Sequence, residues 1–164
     1  MINVELPEQT MTQREIKIYL DNCCYNRPYD NQAQIRVALE SQAKLHVQSQ
    51  IKEGNLSLVT SFVLEFENLK NPYLDRQCSI ADFFKYSREY IDIEKRAIIE
   101  HNAEKIVATG VKFMDACHVA CAEFAKCDYF LSTDKRLLKY KSSTMKLVNP
   151  IDFLSELEGG NNGN

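Results

Sequence analysis

Five short runs rich in β-branched and aromatic residues alternate with helical stretches along this chain, and that alternation restricts the fold more than any other feature. The runs are Ile16–Leu20, Leu56–Val59, Tyr90–Ile93, Tyr129–Thr133 and Leu147–Val148. Helical spacing fills 33–53, where Leu39, Ala43, Val47 and Ile51 share one stripe, and Gly54 supplies the stop. Thr60 or Ser61 can cap a helix that Asn71-Pro72 ends, and Ser79 with Asp82 has the spacing of a capping box for the next. Glu94–Thr109 reads as a helix with Ile98, Ile99, Ile106 and Val107 apolar and Gly110 at its end. Asp115 opens another through about Lys126, and Ile151–Leu157 closes the chain. Strands that alternate with helices imply an α/β fold of three layers, a mainly parallel central sheet flanked by helices.

The 164 residues suffice for one domain, taken as 16–158, with a flexible arm over 1–15 and a disordered tail over 159–164 (GGNNGN). No apolar run approaches the roughly 20 residues of a membrane span, and the N-terminus lacks the pattern of a signal peptide. A cytoplasmic location follows as the expectation, with six cysteines as thiols. No glycine precedes position 54, so the first strand cannot feed a glycine-rich phosphate loop, which removes the dinucleotide and P-loop classes. The net charge of −3 excludes a uniformly basic nucleic-acid coat, so any phosphate-binding surface must be local.

Acids stand where such a fold places its chemistry. The reactive crevice of an open α/β sheet lies beyond the carboxyl ends of its strands. Asp21 follows the first run directly, Asp134 follows the Tyr129–Thr133 run, Asp115 begins a helix, and Glu65 lies one turn into the helix after the second run. Helices that follow strands begin at that same end, so the four can converge. Clustered carboxylates need a counter-charge, and a hard divalent cation supplies it. Taken singly, Asp134 also suits a cap for a short Lys135–Tyr140 helix, Asp115 suits any helix N-terminus, and Glu67 serves as well as Glu65 on spacing alone.

The stretch from Lys17 to Pro28 (KIYLDNCCYNRP) resembles the opening of PIN-domain proteins. Gly110–Ala120 (GVKFMDACHVA) and Asp128–Leu138 (DYFLSTDKRLL) resemble their third and fourth acidic motifs, and Thr60–Glu65 (TSFVLE) is similar to the second, which selects Glu65 over Glu67. The resemblance spans about 16–157. It implies that Asp21, Glu65, Asp115 and Asp134 are catalytic and bind Mg²⁺ or Mn²⁺, with Asn22 and Ser132 supporting them. Asn22 departs from the Asp-Thr or Asp-Ser that many members carry. The chain further resembles the VapC-type toxin ribonucleases of bacterial toxin–antitoxin pairs. That likeness implies RNA as substrate, an antitoxin protein as partner and a homodimer. Arg27, Lys135 and Arg136 adjoin the acidic motifs as candidate phosphate contacts. The competing reading is a catalytically silent PIN-like module that binds RNA or a protein.

Cys117, His118, Cys121 and Cys127 lack the paired CxxC spacing of a zinc site; the cysteines read as packing, with Cys23 and Cys24 packed beside the site, and His118, three residues after Asp115, reads as a structural helix histidine rather than one that approaches the crevice. A dehalogenase-type phosphatase needs an acid two residues after Asp21, where Cys23 stands, and no lysine or acid pair suits a receiver domain.

Overall fold

A computed structural model describes residues 15–161, with side chains to Gly159; the expectations for 1–14 and 162–164 lie outside the described residues. Five strands, β1 (Lys17–Leu20), β2 (Ser57–Ser61), β3 (Glu89–Ile91), β4 (Tyr129–Leu131) and β5 (Lys146–Val148), form one sheet in the order β3-β2-β1-β4-β5. Every pairing is parallel, so the expected fold class is the one observed, with a sheet wholly rather than mainly parallel. The helices are α1 (Asn22–Asn26), α2 (Ile35–Lys52), α3 (Phe62–Leu69), α4 (Leu74–Phe83), α5 (Arg96–Val107), α6 (Phe113–Phe124) and α7 (Pro150–Asn161).

β1 is central because it is covered on both faces: Ile18, Tyr19 and Leu20 are fully buried, and β2 beside it is buried at every position. From β1 the chain moves outward to β2 and β3, then returns across β1 to β4. Parallel crossovers share one hand, so reversing direction sends the connecting helices to opposite faces. Accordingly α2 packs with α7, and α5 with α6. The reversal also leaves a switch point between the carboxyl ends of β1 and β4, where such sheets bind ligands.

Local chemistry explains the boundaries. Ser61 caps α3 by accepting from the Leu64 amide at 3.2 Å, one of the two caps expected. Gly110, at φ +106°, ends the α5 segment, and Gly54, at φ +85°, turns the chain after α2. Several expectations need correction. Ser79 and Asp82 lie inside α4: Asn71 Oδ1 accepts from the Tyr73 amide, and the helix starts at once after that turn. Leu39 is half exposed; the inward stripe of α2 is instead Val37, Glu40, Ala43, Lys44, Val47 and Ile51. In α5 the buried stripe is Ile99, Ala103 and Ile106, while Ile98 and Val107 flank it in solvent. Asp115 is the third residue of α6, and α7 continues to Asn161, four residues past its expected end at Leu157.

Candidate functional site

Asp21, Asn22, Cys23, Glu67, Asp115 and Asp134 line one crevice of about 390 Å³, which Arg27 and Asp30 also border. Asp21 enters it directly from β1 and also caps α1 through the Asn22 amide, at 2.8 Å. Its backbone amide is held by the Leu131 carbonyl at the end of β4. Asp21 is 4 % exposed, and its Oδ2 accepts from Ser132 Oγ at 2.9 Å and from Cys23 Sγ at 3.2 Å. Burial, followed by the charge of Cys23, pushes this carboxyl well above the usual range, although His118 and Ser132 act the other way. Cys23 is pulled down to about 5, chiefly by Cys24, with Ser132 and Thr133 assisting.

Asp134 carries both readings at once. Its Oδ1 accepts from the Arg136 and Leu137 amides, capping a 3-10 turn at Leu137–Lys139 where a short helix was expected, and its exposed carboxylate still faces the crevice. Ser132 is the hinge between the two acids, because its hydroxyl donates to Asp21 and accepts from the Asp134 amide at 3.0 Å. Asp115, half-buried, is raised by burial first, then by Asp134, with Glu67 adding to it against His118 and Lys112. Three of the four expected acids are therefore brought together.

Glu65 is not among them. It lies exposed against a separate hollow with Thr60 and Tyr90; burial and the bond and charge of Glu65 push the Tyr90 hydroxyl up to about 12. Glu67 takes the place in the crevice that Glu65 was expected to fill. Two residues along a helix rotate the side chain by roughly 200°, so only one of these acids can face the site. Val63, Leu64 and Asn68 are the buried positions of α3, and Glu67 sits on their side at four and three residues from the first two. That stripe was the signal in the sequence that could have chosen Glu67.

A buried relay fixes Glu67. Its Oε1 is bonded to His118 Nε2, and its Oε2 accepts from Asn22 Nδ2 at 3.1 Å. His118, wholly buried, meets the Tyr19 hydroxyl through Nδ1 at 2.6 Å, and Tyr19 meets Ser61 Oγ at 2.7 Å. Burial alone would lower the His118 pKa; the Glu67 bond and the charges of Asp21, Glu67 and Asp115 outweigh it and raise it. Burial likewise opposes ionisation of Glu67, but His118 and Asn22 win and lower its pKa. Asn22 continues into a file of amides, with Asn26 donating to Asn22 and Asn71 donating to Asn26 Oδ1. The sequence marks Asn71 only as a helix stop and Asn26 only within the opening motif, and neither as a site residue. Beside this file Arg76 lies 3.9 Å from the Tyr73 ring centre and 5.0 Å from that of Tyr29.

The cations at the rim are unequal. Lys135 and Arg136 are exposed next to Asp134. Arg27 is engaged: Nη1 donates to Asp30 at 3.1 Å, and Nε lies 3.4 Å from Glu40 Oε1. Glu40, 1 % exposed, also pairs with Arg36 at 3.3 Å and accepts from the Asn149 amide.

The donor set fits a hard cation, being carboxylate oxygens whose mutual repulsion no neighbouring lysine or arginine fully relieves. Among the described residues no three His, Cys, Asp or Glu side chains form a ready coordination group. The acids line a crevice rather than close on a point, which suits an ion that retains several waters. Removing Ser132 tests how far this geometry depends on support. Ser132→Ala should weaken divalent-ion affinity by about 10- to 100-fold and cost about 1–2 kcal/mol of stability, read by calorimetric titration and thermal melting. An unchanged ion affinity would dismiss the bridging role.

The chain matches no protein-family model and no curated protein. Among solved structures it is similar to a chain from the crystal structure of VapBC2 from Rickettsia felis bound to a DNA fragment from their promoter. That likeness has a TM-score of 0.52 at 12 % identity, covering 82 % of this chain and 98 % of the other. At such identity the likeness is one of fold, and it agrees with the PIN-like arrangement of an all-parallel five-stranded sheet between helices.

Proposed function

We propose that this protein is a Mg²⁺- or Mn²⁺-dependent endoribonuclease, the toxin of a cytoplasmic toxin–antitoxin pair. One observation carries the reading: Asp21, Glu67, Asp115 and Asp134 line a single crevice at the switch point of the sheet. The likeness in fold to a chain of VapBC2 supports the toxin assignment and an antitoxin partner; a homodimer belongs to the same proposal. Among the described residues no helix is long and apolar enough to cross a membrane.

Asp21, Asp115, Asp134 and Glu67 would hold the ion. When bound, it would polarise a phosphoryl oxygen and supply an attacking water at neutral pH. The protein's own part is positioning. Ser132 holds Asp21 in register with the Asp134 segment, and His118 with Asn22 holds Glu67 ionised toward the crevice. The file of Asn22, Asn26 and Asn71 offers amide donors and acceptors alongside a strand, and Lys135 with Arg136 supplies fixed positive charge for flanking phosphates.

The test is cleavage of single-stranded and structured RNA by the purified protein. Activity should appear with millimolar Mg²⁺ or Mn²⁺ and vanish in excess chelator, with matching ion binding by calorimetry. RNA bound but uncut with either ion would transfer the conclusion to a silent PIN-like binding module.

A further inference from the structure

On the far side of the turn that carries Arg27 lies a second cavity, of about 550 Å³, between α1, α2 and α4. Pro28 and Tyr29 face it, while Arg27 and Asp30 of the same turn face the acidic crevice. Its lining is cationic and aromatic, the reverse of the crevice. Lys44 reaches it from the inward stripe of α2 and is 5 % exposed. Among the described residues this ammonium has no hydrogen bond and no ion pair, and Nζ lies 5.5 Å from the centre of the Tyr25 ring. A buried ammonium without a partner is expensive. The Cys24 thiol favours the charge on Lys44, but burial keeps that thiol protonated, so it is no counter-ion. Desolvation draws Lys44 down to about 8, which still leaves it largely charged near neutrality.

Tyr25 presents the matching anomaly. It lines the same cavity, it is fully buried, and its hydroxyl has no hydrogen-bond partner among the described residues. The Tyr25 hydroxyl is thus a buried donor left unsatisfied in the cavity that the unpaired Lys44 ammonium also lines, whereas buried polar groups are ordinarily paired. Lys52 lies farther out, over the rings of Phe83 at 5.9 Å and Tyr86 at 5.6 Å. Asp82 is engaged with Lys85 at 3.0 Å and leaves the surplus positive charge in place.

We infer that this cavity binds a phosphate group carrying a nucleobase, with Lys44 and Tyr25 as inner donors, Lys52 as an outer cation and the aromatic walls against the base. The nucleotide has two sources, a free mononucleotide or one unit of an RNA strand passing over the Arg27 turn. The second rests on the proposed function; the first does not.

Calorimetry in excess chelator, where hydrolysis cannot intervene, tests the site with three probes: AMP, adenosine and a ten-nucleotide RNA. Lys44→Met should weaken AMP, RNA or both by about tenfold or more, and Tyr25→Phe by about threefold. Adenosine should bind at least about tenfold more weakly than AMP wherever AMP binds. The Lys44→Met melting temperature should hold or rise, since an uncompensated buried charge is removed, and that excludes unfolding as the cause of lost affinity. Lys44-dependent binding of AMP indicates the free nucleotide, and of RNA alone the strand. The inference is overturned if neither AMP nor RNA binds, if Lys44→Met leaves every affinity unchanged, or if adenosine binds as well as AMP. Lys44-dependent binding without RNA cleavage under activating ions would sink the ribonuclease reading and leave this site standing.

Discussion

Glu67→Gln should lower ion-dependent RNA cleavage by about a thousandfold, whereas Glu65→Gln should leave it within about twofold. A thousandfold is roughly 4 kcal/mol of transition-state stabilisation, a reasonable loss for a carboxylate in the role proposed for Glu67, holding a catalytic ion. Asp21→Asn and Asp115→Asn belong with Glu67→Gln, since each lines the same crevice. The contrast between the two glutamates is the sharper measurement, because they lie on one helix and differ only in the side they present. Single-turnover cleavage at saturating ion separates them. Equal losses, or a larger loss at Glu65, would mean that the crevice is not the reaction centre.

His118→Leu should be strongly destabilising. It deletes the side chain that links Glu67 to Tyr19, leaving, among the described residues, the Tyr19 hydroxyl with Ser61 and Glu67 with Asn22. Breaking a buried, partly charged pair costs about 3 kcal/mol, and for a domain of this size that lowers the melting temperature by roughly 6–12 °C. The loss should depend on pH in the ion-free protein. His118 is raised above its unfolded value of about 6.5, so its charge contributes fully below that pH and fades as pH rises through the folded value. Glu67 is lowered below about 4.5, so its share is present above that pH and disappears as pH falls through its folded value. The gap between wild type and His118→Leu should therefore be widest between about pH 4.5 and 6.5. Melting curves across this range check it, and a gap independent of pH would contradict the charged pair.

The sheet was readable because parallel strands covered on both faces are written as short continuous apolar runs, and each of the five runs became a strand within one or two residues. Asp21 and Asp134 were readable for a related reason: backbone direction alone sends residues just beyond a strand to one end of the sheet, and Asp115 reaches that end because it opens α6, the helix that leads back to the start of β4. The second acid was not, because Glu65 and Glu67 satisfy that rule equally and only the rotation of α3 on the core separates them. The inward face of α2 was hidden too. Glu40 and Lys44 are charged residues that a periodicity count assigns to solvent, yet both are buried. His118 illustrates the opposite difficulty: it is a core histidine and also the partner of a crevice acid, so a choice between structure and site had no single answer.

The Glu40 cluster sets an order on completion of the crevice. Arg27, on its rim, is held by a carboxylate that is itself clamped by Asn149, 109 positions further along the chain than Glu40. Contacts between residues so distant in sequence form late, after the loop they close has been drawn in. A chain whose segment beyond β5 has not yet docked possesses every acid of the pocket and the Arg27–Asp30 contact, but Glu40 beside Arg27 then lacks the Asn149 amide. Asn149, just beyond the last strand, thus helps to fix the border of the crevice through Glu40 and Arg27.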